Sequence, residues 1–300
     1  MKSVFKALPD KAYLSGINLP GTHDSCTAYC TMPNMSRCQS MTVKEQLNAG
    51  VRLFDIRLGR KSEEFFLVHS LATCFSDAEN RNVLYFDEVL DNFKAFLKEN
   101  PEEILVISIK QDRGIMSRGF FPKFYSKYIK GNESEWYLKN ENPTLAECRG
   151  KMVLMRRCKV WKGFLRSKEA GLDFSEWKDQ DGKKKTKPLP VILNKETVAT
   201  VQDRYGLPAK MKWKECIYPF FEKSSESIGE KGFAVSFLST AHRQAGKTIF
   251  ESAEKVNAEF MKYELKKDAP SGWMLFDFPS EELLDKVRES NFEIYKESLK

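Results

Sequence analysis

The chain has 300 residues, with 49 Lys and Arg against 42 Asp and Glu, and a formal charge of +7. A composition of 41% hydrophobic and 30% charged residues is that of a folded globular protein and excludes an intrinsically disordered chain. No run approaches about 18 apolar residues, so no membrane-spanning helix is expected, and residues 1–8 lack the apolar segment of a secretory leader.

Predicted strands and helices alternate along the chain. Residues 42–49 are expected to form a helix that begins with Thr42 and Glu45 as a capping box and ends at Gly50. Apolar stripes and alternating patterns place the other elements. In chain order, these are strands 51–57 and 65–69, helix 88–98, strands 103–110, 152–157, 234–238 and 273–278, and helix 281–299.

Apolar strands that alternate with helices predict a parallel sheet covered by helices. A length of 300 residues allows two domains of ordinary size or one barrel. We predict an α/β fold in which a single distorted, nearly closed (β/α) TIM-type barrel spans 1–300. Charged or imidazole side chains at strand ends favour the barrel, because its sites are built at the C-terminal mouth. They are Asp55, Arg57, His69, Lys110, Asp112, Arg157 and Asp277.

Seven cysteines and three histidines limit the metal and disulfide chemistry. Cys26, Cys30 and Cys38 are close in sequence, and the other four are dispersed. Without a repeated C-x-x-C spacing, a structural zinc site is not expected. An odd number of thiols cannot all pair within one chain, so buried or unpaired thiols are expected, and a disulfide among the first three stays open.

The clearest local motif, LPGTHDS at 19–25, places His23 and Asp24 in a loop after a strand. His69 lies at another strand end. Two histidines can act as general base and general acid, while a carboxylate fixes each ring's tautomer. The guanidinium of Arg57 can neutralise a phosphate where other enzymes use a metal. This combination predicts ribonuclease-like cleavage of a phosphodiester through a cyclic intermediate.

These residues belong to an ordered series of motifs that resembles the bacterial phosphatidylinositol-specific phospholipases C. That family has a distorted (β/α) barrel related to the X domain of larger eukaryotic phospholipases C. In combination the motifs are highly specific and cover nearly the whole chain. They are NLPGTHDS (18–25), GVRLFDIRLGR (50–60), LVHS (67–70), EILVISIKQD (103–112), RGKMVLMRR (149–157), VQDRY (201–205) and SGWMLFDFPS (271–280).

The resemblance implies catalytic roles. His23 matches the general base that takes the proton from the inositol 2-hydroxyl, and Asp277 matches the carboxylate that orients it. His69 matches the general acid that protonates the departing diacylglycerol oxygen, with Asp24 as its partner. Arg57 matches the phosphate-binding arginine. The implied products are diacylglycerol and inositol 1,2-cyclic phosphate.

The resemblance also implies how the headgroup binds. Asp55 accompanies Arg57 on the same strand face, and the tyrosine among the inositol-binding positions stacks on the sugar. Those positions are Lys110, Arg157, Asp203 and Tyr205. In the calcium-dependent eukaryotic relatives the strand end that corresponds to Arg57 is acidic, so we expect no metal and no cofactor here.

The implied partner is phosphatidylinositol in a membrane, touched peripherally by a monomer, with no nucleic acid and no obligate protein partner. A secreted or membrane-peripheral location is expected from the family.

His242 and the basic run are predicted as surface loops, with attraction of the run to anionic lipid as the alternative. The basic run is Lys183, Lys184, Lys185 and Lys187. Candidate bilayer contacts are Met32, Met35, Ile249 and Phe250. Interfacial tryptophans would be expected at such positions and are missing there, which predicts weaker or different docking to the membrane.

Two other functions remain open from the residues. A glycerophosphodiesterase or phospholipase D-like barrel would need a carboxylate cluster that holds Mg²⁺ or Ca²⁺, which Arg57 disfavours. A catalytically silent inositol-lipid-binding module should lack a histidine, the arginine or Asp277, and all of them are present.

Overall fold

A computed structural model describes residues 2–181, 187–241 and 248–298. Strands and helices alternate in it. The strands are β1 (Leu19–Thr22), β2 (Leu53–Lys61), β3 (Glu64–His69), β4 (Ala72–Thr73), β5 (Leu105–Gln111), β6 (Trp136–Tyr137), β7 (Met152–Arg156), β8 (Leu172–Asp173), β9 (Leu189–Ile192), β10 (Val198–Gln202), β11 (Gly232–Phe237) and β12 (Trp273–Phe276). The helices are α1 (Pro33–Ser36), α2 (Val43–Ala49), α3 (Phe86–Glu99), α4 (Phe120–Tyr128), α5 (Leu145–Cys148), α6 (Lys162–Ser167), α7 (Ala209–Lys212), α8 (Tyr218–Lys223), α9 (Ile249–Lys262) and α10 (Glu281–Ile294).

Local capping interactions determine where these helices begin and end. The capping box of Thr42 and Glu45 forms at the start of α2, and Gly50 ends that helix with φ 104°. Helix α10 begins where Ser280 accepts a hydrogen bond from the Leu283 amide. It ends at Ile294, so the prediction that it reaches residue 299 is wrong: Tyr295 has φ −101° and ψ 10°, and residues 295–298 form a turn.

The sheet is mostly parallel, with the strand order β6-β7-β5-β2-β1-β12-β11-β10-β9. Three pairings depart from the predicted parallel pattern, since β3 runs antiparallel to both β2 and β4, and β9 runs antiparallel to β10. The sequence reading also missed β9 and β10 as strands. In β9 the residues alternate between exposed and buried, and Pro190 interrupts the pattern, so the hydrophobic signal is weak.

The interior of the barrel is one apolar cluster with side chains from strands around the sheet. Ile104 and Val106 point into it, as do Val153 and Met155, whereas Leu105 and Leu154 pack outward against the helical layer. This is the period-two separation expected of strands buried on both faces.

In the described ranges, the two edges of the sheet meet through side-chain contacts rather than through hydrogen bonds between strands. The Asn140 Nδ2 group donates to the Leu193 carbonyl at 2.7 Å, and the rings of Phe174 and Phe233 meet edge to face with centroids 6.3 Å apart. Among the described strands, no hydrogen-bonded pairing closes the barrel, which is therefore distorted.

Parallel strands align their C-terminal ends at one mouth of the barrel. The strand register determines which residues are neighbours at this mouth. Arg57 pairs with Lys110 across β2 and β5, and Thr22 pairs with Phe276 across β1 and β12. His23 and Asp277, one residue beyond that last pair, are thereby brought together at the mouth.

Some predicted features fall outside the described ranges. They are His242 and the lysines 183–185 of the basic run. Lys187, the last lysine of the run, is exposed. None of the helices in the described ranges has the length and apolar character needed to cross a bilayer.

Candidate active site

The carboxylate of Asp24 occupies the centre of the mouth. Asp24 lies in the turn after β1 with φ 43°, and its amide donates to Asp55 Oδ2 at 3.3 Å. Its Oδ2 atom is 3.0 Å from Nε2 of His23 and 3.4 Å from Nε2 of His69. The same oxygen is 3.2 Å from Nη1 of Arg57. One buried oxygen thus contacts both imidazoles and the guanidinium.

His23 is held between two carboxylates. Its amide donates to the Phe276 carbonyl at 2.9 Å, and its Nδ1 lies 2.8 Å from Asp277 Oδ1. Gln39 fixes this junction, because its Nε2 donates to the carbonyls of His23 at 2.7 Å and Phe276 at 3.0 Å. Burial lowers the pKa of His23, but Asp277 and Asp24 outweigh it and raise the pKa to about 10. Gln39 was missed from the sequence, since a single glutamine in a loop gives no signal.

His69 follows β3 and is oriented by the main chain. Its Nδ1 donates to the Ser36 carbonyl at 2.7 Å, which fixes the tautomer and leaves Nε2 facing Asp24. The rings of His23 and His69 are nearly perpendicular, with centroids 6.0 Å apart. This separation lies within reach of a single bound group that contacts both rings.

Arg57 bridges two carboxylates at the end of β2. Its Nε and Nη2 atoms both lie 3.0 Å from Asp55 Oδ2, while Nη1 reaches Asp24. Burial raises the pKa of both carboxyls, but Arg57 is the largest opposing influence and the net pKa of each is lowered. The Asp24 oxygen lies 3.0 Å and 3.4 Å from the two imidazoles and 3.2 Å from Arg57, so this carboxylate is the contact that the three groups share.

A second set of charges surrounds this centre. Lys110 Nζ lies 2.7 Å from Asp112 Oδ1, and Arg157 Nη1 lies 3.2 Å from Asp55 Oδ1. Asp112 also accepts a hydrogen bond from the Ser70 amide at 2.7 Å, which links β5 to the turn after His69. Burial raises the pKa of Asp112, but Arg57 and Lys110 oppose it and the net pKa is lowered.

Asp203 and Tyr205 lie beyond the end of β10, farther from the histidines. Burial raises the pKa of Asp203, and Arg157 is the largest influence that opposes the shift. The Tyr205 hydroxyl donates to Asp179 Oδ1 at 3.1 Å rather than to a charged group around Asp24. The structure therefore places Asp203 within electrostatic range of the centre and Tyr205 at its edge, with the ring 37% exposed.

Trp177 is a site residue that the sequence reading missed. Its ring lies over the Arg157 guanidinium, 3.9 Å from centroid to Cζ, and meets Phe237 edge to face at 5.3 Å. Phe237 in turn contacts His23, with centroids 5.7 Å apart. Trp177 follows β8, a two-residue strand with no recognisable pattern, so only the fold brings it to the mouth.

The guanidinium of Arg57 limits the ability of this cluster to bind a metal ion. In the described ranges, three groups of His, Cys and carboxylate ligands have atoms within 4.8 Å of one another, and two of the groups include Asp24. A cation bound to Asp24 would have to displace Arg57, whose Nη1 is 3.2 Å from the same carboxylate. The donor set therefore suits an anion, such as a phosphate, better than a divalent cation.

Residues 19–158 match the family model for the X domain of phosphatidylinositol-specific phospholipase C. The matched segment runs from β1 to the end of β7 and includes both histidines of the cluster as well as Asp24, Arg57 and Lys110. The resemblance stated from the motifs is confirmed.

Among individual proteins, the chain is 27% identical over 288 residues to a 1-phosphatidylinositol phosphodiesterase of Staphylococcus aureus strain Newman, covering 90% of this chain and 86% of that protein. It is 24% identical over 306 residues to the 1-phosphatidylinositol phosphodiesterase of Listeria monocytogenes, covering 97% and 85% of the two chains.

Solved structures show the same fold. A pentafluorophenylalanine-containing phosphatidylinositol-specific phospholipase C from S. aureus superposes with a TM-score of 0.76 at 22% identity, over 96% of this chain and 99% of that one. The phosphatidylinositol-specific phospholipase C from L. monocytogenes gives a TM-score of 0.69 at 21% identity, over 96% and 98%. The predicted distorted (β/α) barrel is confirmed.

Proposed function

We propose that this protein cleaves phosphatidylinositol into diacylglycerol and inositol 1,2-cyclic phosphate. The observation that carries the proposal is the convergence of two imidazole Nε2 atoms and a guanidinium on one buried carboxylate oxygen. The staphylococcal and listerial relatives are 1-phosphatidylinositol phosphodiesterases, which supports the choice of substrate.

The attack is intramolecular. His23 takes the proton of the inositol 2-hydroxyl, the oxygen attacks the adjacent phosphorus, and the bond to the glycerol oxygen breaks. Because nucleophile and phosphate belong to one molecule, the step gains the high effective molarity of a cyclisation. Asp277, 2.8 Å from Nδ1, holds the ring and stabilises the imidazolium that forms.

His69 donates the proton that the departing diacylglycerol oxygen needs. Its Nδ1 is committed to the Ser36 carbonyl, so Nε2 is the nitrogen available to the leaving group. Arg57 stabilises the charge that develops on the phosphate oxygens, from a position already set by its contacts with Asp24 and Asp55.

The charge state of His23 sets a condition on substrate binding. With its pKa raised to about 10, His23 is an imidazolium at neutral pH and cannot accept a proton. We propose that the 2-hydroxyl takes the place of Asp24 at Nε2, which removes one of the two carboxylates that hold the proton. Asp24 then keeps its contacts with His69 and Arg57.

The surrounding residues are proposed to bind the inositol ring. Asp55 orients Arg57 and Arg157, and the ammonium of Lys110 faces the same space from β5. Asp203 accepts from ring hydroxyls, and Tyr205 stacks on the sugar from the edge of the mouth. No metal is required in this scheme, because the guanidinium of Arg57 supplies the positive charge at the phosphate.

The proposed contact with the membrane is the rim of the mouth. Several loops at this rim carry exposed apolar side chains, and hydrogen bonds connect these loops to one another. Arg113 Nε donates to the Ser70 carbonyl at 3.0 Å, and the Thr31 amide donates to the Thr73 carbonyl at 3.0 Å. The exposed side chains are Met32, Met35, Leu71, Ile115, Met116, Trp161 and Phe250. Ile249, also predicted as a contact, is half-buried.

Trp161, which follows β7 and is 48% exposed, gives this surface an interfacial tryptophan. Vesicle sedimentation tests the surface: the double variant Ile115→Ser/Met116→Ser should bind anionic vesicles several-fold more weakly. Ile192→Ser is the matched control, since Ile192 is 64% exposed but pairs with Val198 at the start of β10, the opposite end of the barrel. Equal binding of the double variant and the wild type would refute this surface.

We also propose that residues 1–300 form one domain that acts as a monomer. One sheet takes strands from β1 to β12, which leaves no boundary between independent halves. A single unfolding transition and a monomeric mass in light scattering are the expected results.

Release of inositol 1,2-cyclic phosphate from labelled phosphatidylinositol vesicles tests the activity. The wild type should release it in the presence of EDTA, and His23→Ala should lose at least about 10³-fold. Equal rates for the two would refute the assignment of the base. Loss of activity in EDTA with recovery in Ca²⁺ would instead favour the metal-dependent alternative.

A further inference from the structure

Four of the cysteines lie near one another, and one of them contacts the candidate active site. Cys38 Sγ is 3.8 Å from Nδ1 of His69. Burial raises the pKa of Cys74, and the neighbouring thiols Cys26 and Cys30 raise it further. The sequence drew attention to the first three, which are close along the chain, whereas Cys74 joins them only in the fold.

Cys30 and Cys74 face each other across an antiparallel bridge. The Thr31 amide donates to the Thr73 carbonyl at 3.0 Å, and the Phe75 amide donates to the Tyr29 carbonyl at 2.9 Å. The bonds flank the cysteines and do not join them, so this is the narrow, non-hydrogen-bonded type of pair. Such pairs have Cα atoms about 4.5 Å apart and side chains on the same face. That spacing lies inside the range of about 4.4–6.8 Å that a disulfide spans.

We propose that Cys30 and Cys74 form a disulfide that fastens the segment of α1 to the β3–β4 hairpin. Oxidised glutathione, or another small disulfide, is the oxidant. One cysteine thiolate attacks it to give a mixed disulfide and release one thiol. The second cysteine then attacks the mixed disulfide, so that two cysteine thiols and one small disulfide yield one protein disulfide and two small thiols.

The bond forms during folding rather than afterwards. Exchange needs a thiolate and access, and in the folded chain both side chains are buried. Burial raises the pKa of the Cys30 thiol to about 11, which further slows its reaction once the barrel is complete. The same burial protects the bond from reductants after folding.

The proposed disulfide joins the two segments that position His69. The hairpin carries His69 itself, and the segment after Cys30 carries Ser36, whose carbonyl accepts from Nδ1 at 2.7 Å. The disulfide therefore limits the motion of the ring against its acceptor. This consequence rests on the proposed function, whereas formation of the bond does not.

The experiment is refolding of the full chain from denaturant in glutathione buffer, compared with refolding in excess thiol. After alkylation and digestion, the oxidised sample should contain one linked peptide that joins Cys30 to Cys74. Its Tm should exceed that of the reduced sample by about 5–10 °C, because the bond closes a loop of roughly 45 residues. Amide exchange of Thr31 and Phe75 should slow by a larger factor than that of α10, which reports only the change in global stability.

Matched variants separate the pair from other thiols. Cys30→Ala and Cys74→Ala should each abolish the Tm difference, and Cys148→Ala and Cys216→Ala, at buried sites elsewhere, should retain it. Separate alkylation of Cys30 and Cys74 in the folded, oxidised protein would overturn the proposal, as would a linked peptide that contains Cys26 instead. A correct link without change in Tm or exchange would overturn the fastening role. None of these readouts depends on enzymatic activity.

Discussion

Asp277→Asn removes the negative charge that lies 2.8 Å from Nδ1 of His23 and keeps an oxygen to accept the hydrogen bond. The two side chains are 14% and 2% exposed, so solvent screens the pair only weakly. Two unit charges about 4 Å apart interact by roughly 4 kcal/mol at an effective dielectric constant of about 20, which corresponds to about 3 pKa units. The pKa of His23, raised to about 10 in the wild type, should therefore fall to about 7.

Two assays measure this shift. In a proton NMR titration, the three histidines of the chain give few ring signals, and His23 should titrate about 3 pH units lower in the variant. In the pH profile of kcat/KM on a soluble inositol phosphodiester, the acid limb should move to lower pH by a similar amount. The maximum should also fall by roughly 10²–10⁴-fold, because the imidazolium formed in the reaction loses its carboxylate. An unchanged titration of His23 would refute the reasoning.

The same pKa governs how stability depends on pH. The folded pKa of His23 exceeds the unfolded value of 6.5, so the protonated form favours the folded state. That stabilisation is fully present below about pH 6.5 and is lost as the pH rises through about 10. In urea titrations the wild type should lose more stability than Asp277→Asn between these limits. Equal losses would contradict the raised pKa.

Three further variants test other parts of the structure. Arg57→Lys should lower kcat by about 10²–10³-fold, because one ammonium cannot replace the planar contacts of the guanidinium; wild-type turnover would contradict its proposed role. Trp177→Ala, which uncovers Arg157, should raise KM for a soluble headgroup by about 3- to 30-fold with kcat nearly unchanged, and a loss confined to kcat would contradict a binding effect. Arg52→Met should lower the free energy of unfolding by about 3–5 kcal/mol in urea melts, since it leaves the Glu103 carboxylate, now 2.6 Å from Arg52 Nε, buried without its partner. A loss below about 1 kcal/mol would show that the hydrogen bonds Glu103 keeps, from Ser3 Oγ and the Val4 amide, compensate for the lost cation.

The elements that the sequence predicted well are those with strong local signals. Helix α2 has a capping box and a terminal glycine, and the outward and inward faces of β5 are set by alternation of residues 104–110. Both signals arise from neighbours within a few residues along the chain. The weak signals failed: β9 went unrecognised because it is short, partly exposed and contains Pro190.

The site was predictable in composition but not in arrangement. The order of motifs identified His23, His69 and Arg57, and the structure brings them together. The sequence did not reveal that Asp24 is the shared contact of all three, nor that Gln39 and Trp177 support the site. These two lie in loops, where residue type alone carries no positional information.

The sequence by itself determined the chemical inventory, the strand ends that carry it and the family that this order of motifs resembles. Only the tertiary structure decided which atoms meet: the single oxygen of Asp24 between two imidazoles, the ring over Arg157, and the narrow pair of Cys30 and Cys74. The physical reason is that such contacts depend on strand register and loop path. Register and loop path are set by packing across the whole barrel rather than by residues adjacent in sequence.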